Sequence, residues 1–165
     1  MTTQPETIVV LTMGGTIDKV YFDALSEFQV GEPAVTRLLH LGGVACPFRV
    51  IELTRKDSLE ITDQERAHLR EQVAALQERR IVVTHGTDTM TDSAKALADV
   101  RGKTIVFTGA LAPARFQESD ASFNLGMAFA AAQTLPPGVY IAMSGQIFPG
   151  DRVRKDRRNA RFEAI

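Results

Sequence analysis

Four polar sites in this sequence combine side chains capable of chemistry with turns that could present them. Residues 81–94, IVVTHGTDTMTDSA, begin as an apolar run, turn at Gly86 and become helical in pattern. The turn carries Thr87 and Asp88 side by side. A hydroxyl next to a carboxylate at a strand-to-helix turn sits where open α/β sheets hold their ligands. The same pair would also serve as ordinary helix-capping residues. Thr16 follows Gly14-Gly15, a pair that permits a sharp turn and close backbone approach to a ligand. Its hydroxyl could act as a nucleophile or be simply a turn residue. Asp57-Ser58 forms a third polar turn, of types that favour loops in any case. Lys155 lies in the basic run RVRKDRR, residues 152–158, which by composition reads first as a solvated tail.

Other chemistries are disfavoured. The glycines after residues 7–11 lack the further spacing of a dinucleotide fingerprint. His40, His68 and His85 form no metal-ligand spacing, and His85 is expected to serve as a structural hydrogen-bonding group. Cys46 is the single cysteine, so neither an internal disulfide nor a cysteine zinc site can form. The site is therefore expected to need no metal and no cofactor. Net charge is -1, and the short basic run lacks interleaved aromatics, so neither nucleic acid nor a membrane surface is an expected partner. No secretory leader is visible in residues 1–6, and no apolar run approaches the ~18 residues of a membrane span. A cytoplasmic location is expected.

The elements that must position these groups alternate regularly. Residues 7–11, 48–53, 81–84, 104–108 and 139–143 read as strands, and residues 144–148 as a short addition. Helical patterns fill residues 33–41, the stretch from the capping box Thr62–Glu65 to about residue 78, the stretch after Met90, and residues 120–133. The helix after Met90 is expected to bury Met90, Ala94, Leu97 and Ala98, and the last helix Phe123, Met127, Ala130 and Ala131. Residues 18–31 read as a loop with some extended structure, of a length common in lids. The alternation predicts a single α/β domain, a mostly parallel sheet with helices on both faces in three α/β/α layers. Right-handed crossovers would place the turns at Thr16, Ser58 and Thr87 on one rim.

Taken together, the segments resemble the bacterial-type L-asparaginases. TMGGTI at residues 12–17 and HGTDTM at residues 85–90 look like the two signature segments of that family. TGA at residues 108–110, FNL at residues 123–125 and GDRVRK at residues 150–155 also look familial. The resemblance implies hydrolysis of L-asparagine to L-aspartate and ammonia through a threonine nucleophile and an acyl-enzyme. It implies Thr16 as nucleophile, Tyr21 as its partner, and Thr87, Asp88 and Lys155 as the second catalytic group. Gly15, Asp57, Ser58, Gly86 and Asp88 are implied to bind substrate. Such chemistry needs an activated hydroxyl, an oxyanion site and an acid for the leaving ammonia.

The resemblance covers the larger N-terminal domain of the family and not the smaller C-terminal one. The chain, residues 1–165, is thus expected to be a naturally short, single-domain form with an open site and weaker apparent affinity. Homo-oligomers are expected, as in the family. The alternatives are a glutaminase or mixed-specificity enzyme, a non-catalytic amino-acid-binding module and, more distantly, nucleic-acid binding through residues 152–161.

Overall fold

The computed structural model describes residues 5–165. Residues 1–4, part of the stretch in which no leader is expected, lie outside them. Strand β1 (Ile8–Gly14) is buried along its whole length, which is why a continuous run of apolar and small residues occupies it. It pairs in parallel with β4 (Phe48–Lys56) on one side and β5 (Arg80–Thr84) on the other. Strands β6 (Thr104–Thr108) and β7 (Gly138–Met143) continue the parallel set, and β8 (Gln146–Pro149) closes it antiparallel. The six-stranded order is β4-β1-β5-β6-β7-β8.

Helices cover both faces, as the alternation requires. Helices α2 (Asp63–Ala75) and α3 (Met90–Ala96) pack Leu69, Val73, Met90, Ala94 and Leu97 on one face. Helices α1 (Val35–Leu41) and α4 (Ala121–Thr134) pack Val35, Leu38, Leu39, Leu125 and Phe129 on the other. The capping box at the start of α2 is formed: the Thr62 N–H donates to Glu65 at 2.9 Å, and the Glu65 N–H donates to Thr62 Oγ1 at 3.2 Å. The expectation of uniform crossover hand needs correction. The β5-α3-β6 and β6-α4-β7 units step the same way across the sheet, yet α3 and α4 lie on opposite faces. The two crossovers therefore have opposite hands, and β6-α4-β7 is the left-handed exception.

Three local readings also change. Residues 18–31 form an antiparallel hairpin of β2 (Lys19–Phe22) and β3 (Glu27–Val30), pairing Tyr21 with Phe28. Its base is fastened by Asp18, whose carbonyl accepts the Gly31 N–H at 2.8 Å and whose carboxylate accepts the Ala34 N–H at 2.8 Å. In α4 the inward face is Ala121, Asn124, Leu125, Ala128, Phe129, Ala131 and Ala132, so Ala131 lies inside as expected, whereas Phe123 is 65% exposed and Ala130 is exposed. Ala98, expected inside, is exposed one residue beyond the C-cap of α3.

The basic run is no free tail. It forms β9 (Val153–Asp156), paired with β10 (Arg161–Ala164), and the pair docks through Val153 and Phe162, both buried in the α2/α3 core. The Phe162 N–H donates to Ser144 Oγ at 2.9 Å. Phe162→Ala should therefore lower unfolding free energy by about 3 kcal/mol, the usual cost of deleting a buried phenylalanine ring. A urea midpoint unchanged by the substitution would show that the β9–β10 pair contributes nothing to global stability.

Candidate functional site

The carboxyl ends of the parallel strands lie at one edge, and the turns leaving β1, β4 and β5 meet there. Helix α1 follows β1 on one face, whereas α2 returns over the opposite face to deliver β5 on the other side of β1. This reversal opens a crevice beyond β1 and β5, the usual place for a ligand in such sheets.

Backbone contact sets the distances in the crevice. Gly15 has φ of 93°, a left-handed-region value that glycine adopts without the cost of a Cβ. A Cβ at Gly15 would lie 2.3 Å from the Gly86 nitrogen, and one at Gly86 would lie 2.6 Å from Ser58 Cβ. The turns after β1, β5 and β4 thus touch main chain to main chain or main chain to Ser58. A register shift in β1 between Thr12 and Gly14 aims the first of them. Gly15 is engaged through its backbone, since its N–H donates to the Lys56 carbonyl at 2.9 Å.

Thr16 opens a single 3₁₀ turn, Thr16–Asp18, and is half-buried. Across from it, the structure brings Thr87, Asp88 and Lys155 into one cluster. The Lys155 ammonium donates to Thr87 Oγ1 at 2.7 Å and to Asp88 Oδ1 at 2.8 Å. Thr87 is buried, and Lys155 and Asp88 are largely shielded. No backbone carbonyl takes the N–H groups of Thr87 and Asp88 among the described residues, which leaves them for an anionic or carbonyl oxygen.

Asp57 and Ser58 border the same cluster. Asp57 caps a short turn, Ser58–Glu60, by accepting the Leu59 N–H at 3.1 Å, and pairs with Lys19 at 3.0 Å. Burial pushes the Asp57 carboxyl up, but the Leu59 N–H and the Lys19 and Lys155 ammonium groups hold it below its ordinary value. Ser58 is buried, and its carbonyl accepts the Thr89 hydroxyl at 2.7 Å, bolting the β4 turn to the β5 turn. Tyr21 stands apart. It is 53% exposed with its ring against Phe28, and no hydrogen bond joins it to the Thr87–Asp88–Lys155 cluster among the described residues.

Beneath the β5 turn, His85 is fully buried between the Gly86 carbonyl at Nδ1, 2.7 Å, and Ser93 Oγ at Nε2, 2.7 Å. A carbonyl can only accept, so Nδ1 carries the proton and Nε2 accepts from Ser93. Burial lowers its pKa to about 4 and keeps it neutral. It is scaffolding for Gly86, as its place beside the turn leads one to expect. Two charged neighbours escaped the sequence reading. Arg157 Nε lies 3.5 Å from Asp88 Oδ1, and Lys19 pairs with Asp57. Arg157 was hidden among other basic residues and Lys19 stood alone in a stretch read as a loop, and only the folded path of the chain selects them.

Asp18, next to this site, is buried with Oδ2 unpartnered. Burial raises its pKa from 3.8 to about 6, against the opposing Ala34 N–H. Between these values the folded chain keeps a proton that the unfolded chain gives up, so stability falls as pH rises through this window. His85 acts oppositely: between about 4 and 6.5 the unfolded chain binds a proton that the folded chain refuses, so stability rises with pH. In Asp18→Asn only the second effect survives. Its stability should therefore rise more steeply than wild type from pH 4 to 6, by up to about 1.4 kcal/mol per pH unit. Urea melts across that range check it, and parallel curves would refute the raised Asp18 pKa.

With this geometry in place, the likenesses to other proteins are informative. A family model described as "Asparaginase, N-terminal" matches residues 7–164. A glutaminase-asparaginase of Acinetobacter glutaminasificans is 31% identical over 172 residues, covering 90% of this chain and 49% of that protein. The thermostable L-asparaginase of Thermococcus kodakarensis superimposes with a TM-score of 0.83 at 29% identity, over 96% of this chain and 51% of its own. L-asparaginase I of Vibrio cholerae gives a TM-score of 0.85 at 25% identity, over 97% and 51%. The chain spans about half the length of these relatives. It belongs to the asparaginase family, and its match is to the N-terminal domain of that family.

Proposed function

We propose that this chain is an amidohydrolase that converts L-asparagine to L-aspartate and ammonia through an acyl-enzyme on Thr16. The observation that carries this reading is Lys155 Nζ within hydrogen-bond distance of both Thr87 Oγ1 and Asp88 Oδ1. A threonine hydroxyl is a weak nucleophile or proton relay unless a basic group adjoins it, and here one does.

In this reading Thr16 Oγ attacks the side-chain amide carbon. The C–N bond breaks, and the departing nitrogen leaves as ammonia with the hydroxyl proton. With Lys155 in its neutral amine form, Thr87 then passes it a proton from the attacking water, and Asp88 stabilises the ammonium that results. The ester bond to Thr16 breaks, aspartate leaves, and Thr16 regains a proton from the Lys155 ammonium by way of Thr87, which returns the lysine to its amine form. The free N–H groups of Thr87 and Asp88 support oxyanion stabilisation. Lys155 and Arg157 both sit on Asp88 Oδ1, which leaves Oδ2 for the substrate α-ammonium. The Asp57-Ser58 turn, beside Lys19, is assigned to the α-carboxylate. Tyr21 is assigned to Thr16 by its place on the hairpin that begins three residues after it.

A broader specificity that includes L-glutamine is the second reading, favoured by the likeness to a glutaminase-asparaginase. We further infer that the chain acts as a single catalytic domain, because one sheet carries both of its cores. Self-association is part of the proposal, and light scattering at two protein concentrations tests it. Thr16→Ala and Thr87→Ala should each cut ammonia release from asparagine by about 10³-fold or more. Near-normal release by both would overturn the mechanism. Thermal stabilisation by asparagine without ammonia release in the wild type would instead favour a binding module.

A further inference from the structure

The loop between β6 and α4 is held more firmly than its surface position requires. The Asp120 carboxylate accepts the N–H groups of Leu111 at 3.0 Å and Ala112 at 3.1 Å. Asn124 Nδ2 donates to Asp120 at 2.8 Å and to the Gly109 carbonyl at 2.9 Å, and Ser119 Oγ donates to the Ala112 carbonyl at 2.8 Å. From this braced loop two contacts reach the segment that carries Thr16 and Tyr21. The Ala114 N–H donates to the Ile17 carbonyl at 3.1 Å, fixing the Thr16 end. The Phe116 ring meets Phe28 edge to face at 5.8 Å, and Phe28 meets Tyr21 in the same way at 5.4 Å.

The hairpin needs such a prop. It is a two-stranded sheet of four residues per strand, and strands so short and so few are marginal alone. Asp18 fastens only its base. Above the base, Tyr21, Phe28 and Phe116 are each about half exposed, at 53%, 48% and 49%. Edge-to-face stacking is directional, so the row fixes orientation as well as burying area.

We propose that Phe116 is a positioning residue that sets the stance of Tyr21 beside the Thr16 turn, through Phe28. The inference rests on the reading of Tyr21 as the partner of Thr16. Phe116 never touches the substrate; it removes a hinging motion of the hairpin about Asp18. The loss on its removal falls on turnover more than on apparent affinity, because the groups assigned to bind the substrate lie on other turns.

The test compares Phe116→Ala, Phe116→Tyr, Tyr21→Phe and the double variant Tyr21→Phe/Phe116→Ala in ammonia release from asparagine. Phe116→Ala should lower kcat about 3- to 10-fold with KM little changed, and Phe116→Tyr should restore most of the loss. The double variant should match Tyr21→Phe alone. A second readout is independent of activity. The chain has no tryptophan and two tyrosines, so Tyr140→Phe leaves Tyr21 as the only strong fluorophore. In that background, Phe116→Ala should make the tyrosine emission more easily quenched by acrylamide. Quenching unchanged by Phe116→Ala, or losses that multiply in the double variant, would overturn the proposal while leaving the role of Tyr21 intact. Full activity of Tyr21→Phe would overturn the role of Tyr21 and, with it, the catalytic effect assigned to Phe116.

Discussion

The contact between Gly15 and Gly86 is the constraint on which the site depends. Two main-chain segments from adjacent parallel strands approach so closely that neither position has space for a methyl group. Ser58, pressed against Gly86 from the next turn, completes the arrangement. The spacing of Thr16, Thr87 and Asp57 is thus set by backbone packing at the end of a fully buried sheet. Rotamer choice in a mobile loop plays no part in it. Interiors packed to this density transmit displacements rather than absorb them, so the three turns act as one rigid part.

Charge is distributed around that rigid part with a consistent logic. The ionised groups, Lys155, Asp88, Asp57, Lys19 and Arg157, sit at the mouth, where each has an opposite partner. The titratable groups held beneath or beside it, His85 and Asp18, are driven by burial towards their neutral forms. Neutral scaffolding below and paired charges above keep the field in the crevice dominated by the groups assigned to substrate.

Much of this was legible in the sequence, for identifiable reasons. The inner parallel strands are continuous apolar runs, because both faces are covered, and such runs stand out. The polar turns after β1 and β5 stood out for the same reason, as did the capping box of α2. Helix α4 misled because it is apolar nearly all round: Phe123 and Phe129 compete for the core, and periodicity alone does not choose Phe129. The β2–β3 hairpin was blurred by its short strands and exposed aromatics. The hand of the β6-α4-β7 crossover leaves no mark on local pattern. Lys155 is the clearest limit. Its run of arginines reads as solvated charge, and only the burial of Val153 and Phe162 on either side of it turns that run into a structured arm. The family resemblance pointed to Lys155 where composition did not.

That arm has a kinetic meaning beyond its contacts. Lys155 reaches Thr87 and Asp88 on a two-stranded ribbon near the end of the described chain, docked by Val153 and Phe162. Peripheral units of this kind open independently of the rest of a domain, at a lower free energy than global unfolding. Whatever detaches the ribbon removes Lys155 while the sheet, the glycine contact and Thr16 stay in place. On the role proposed for Lys155, such a state is folded but inactive, and the competent fraction follows a local docking equilibrium.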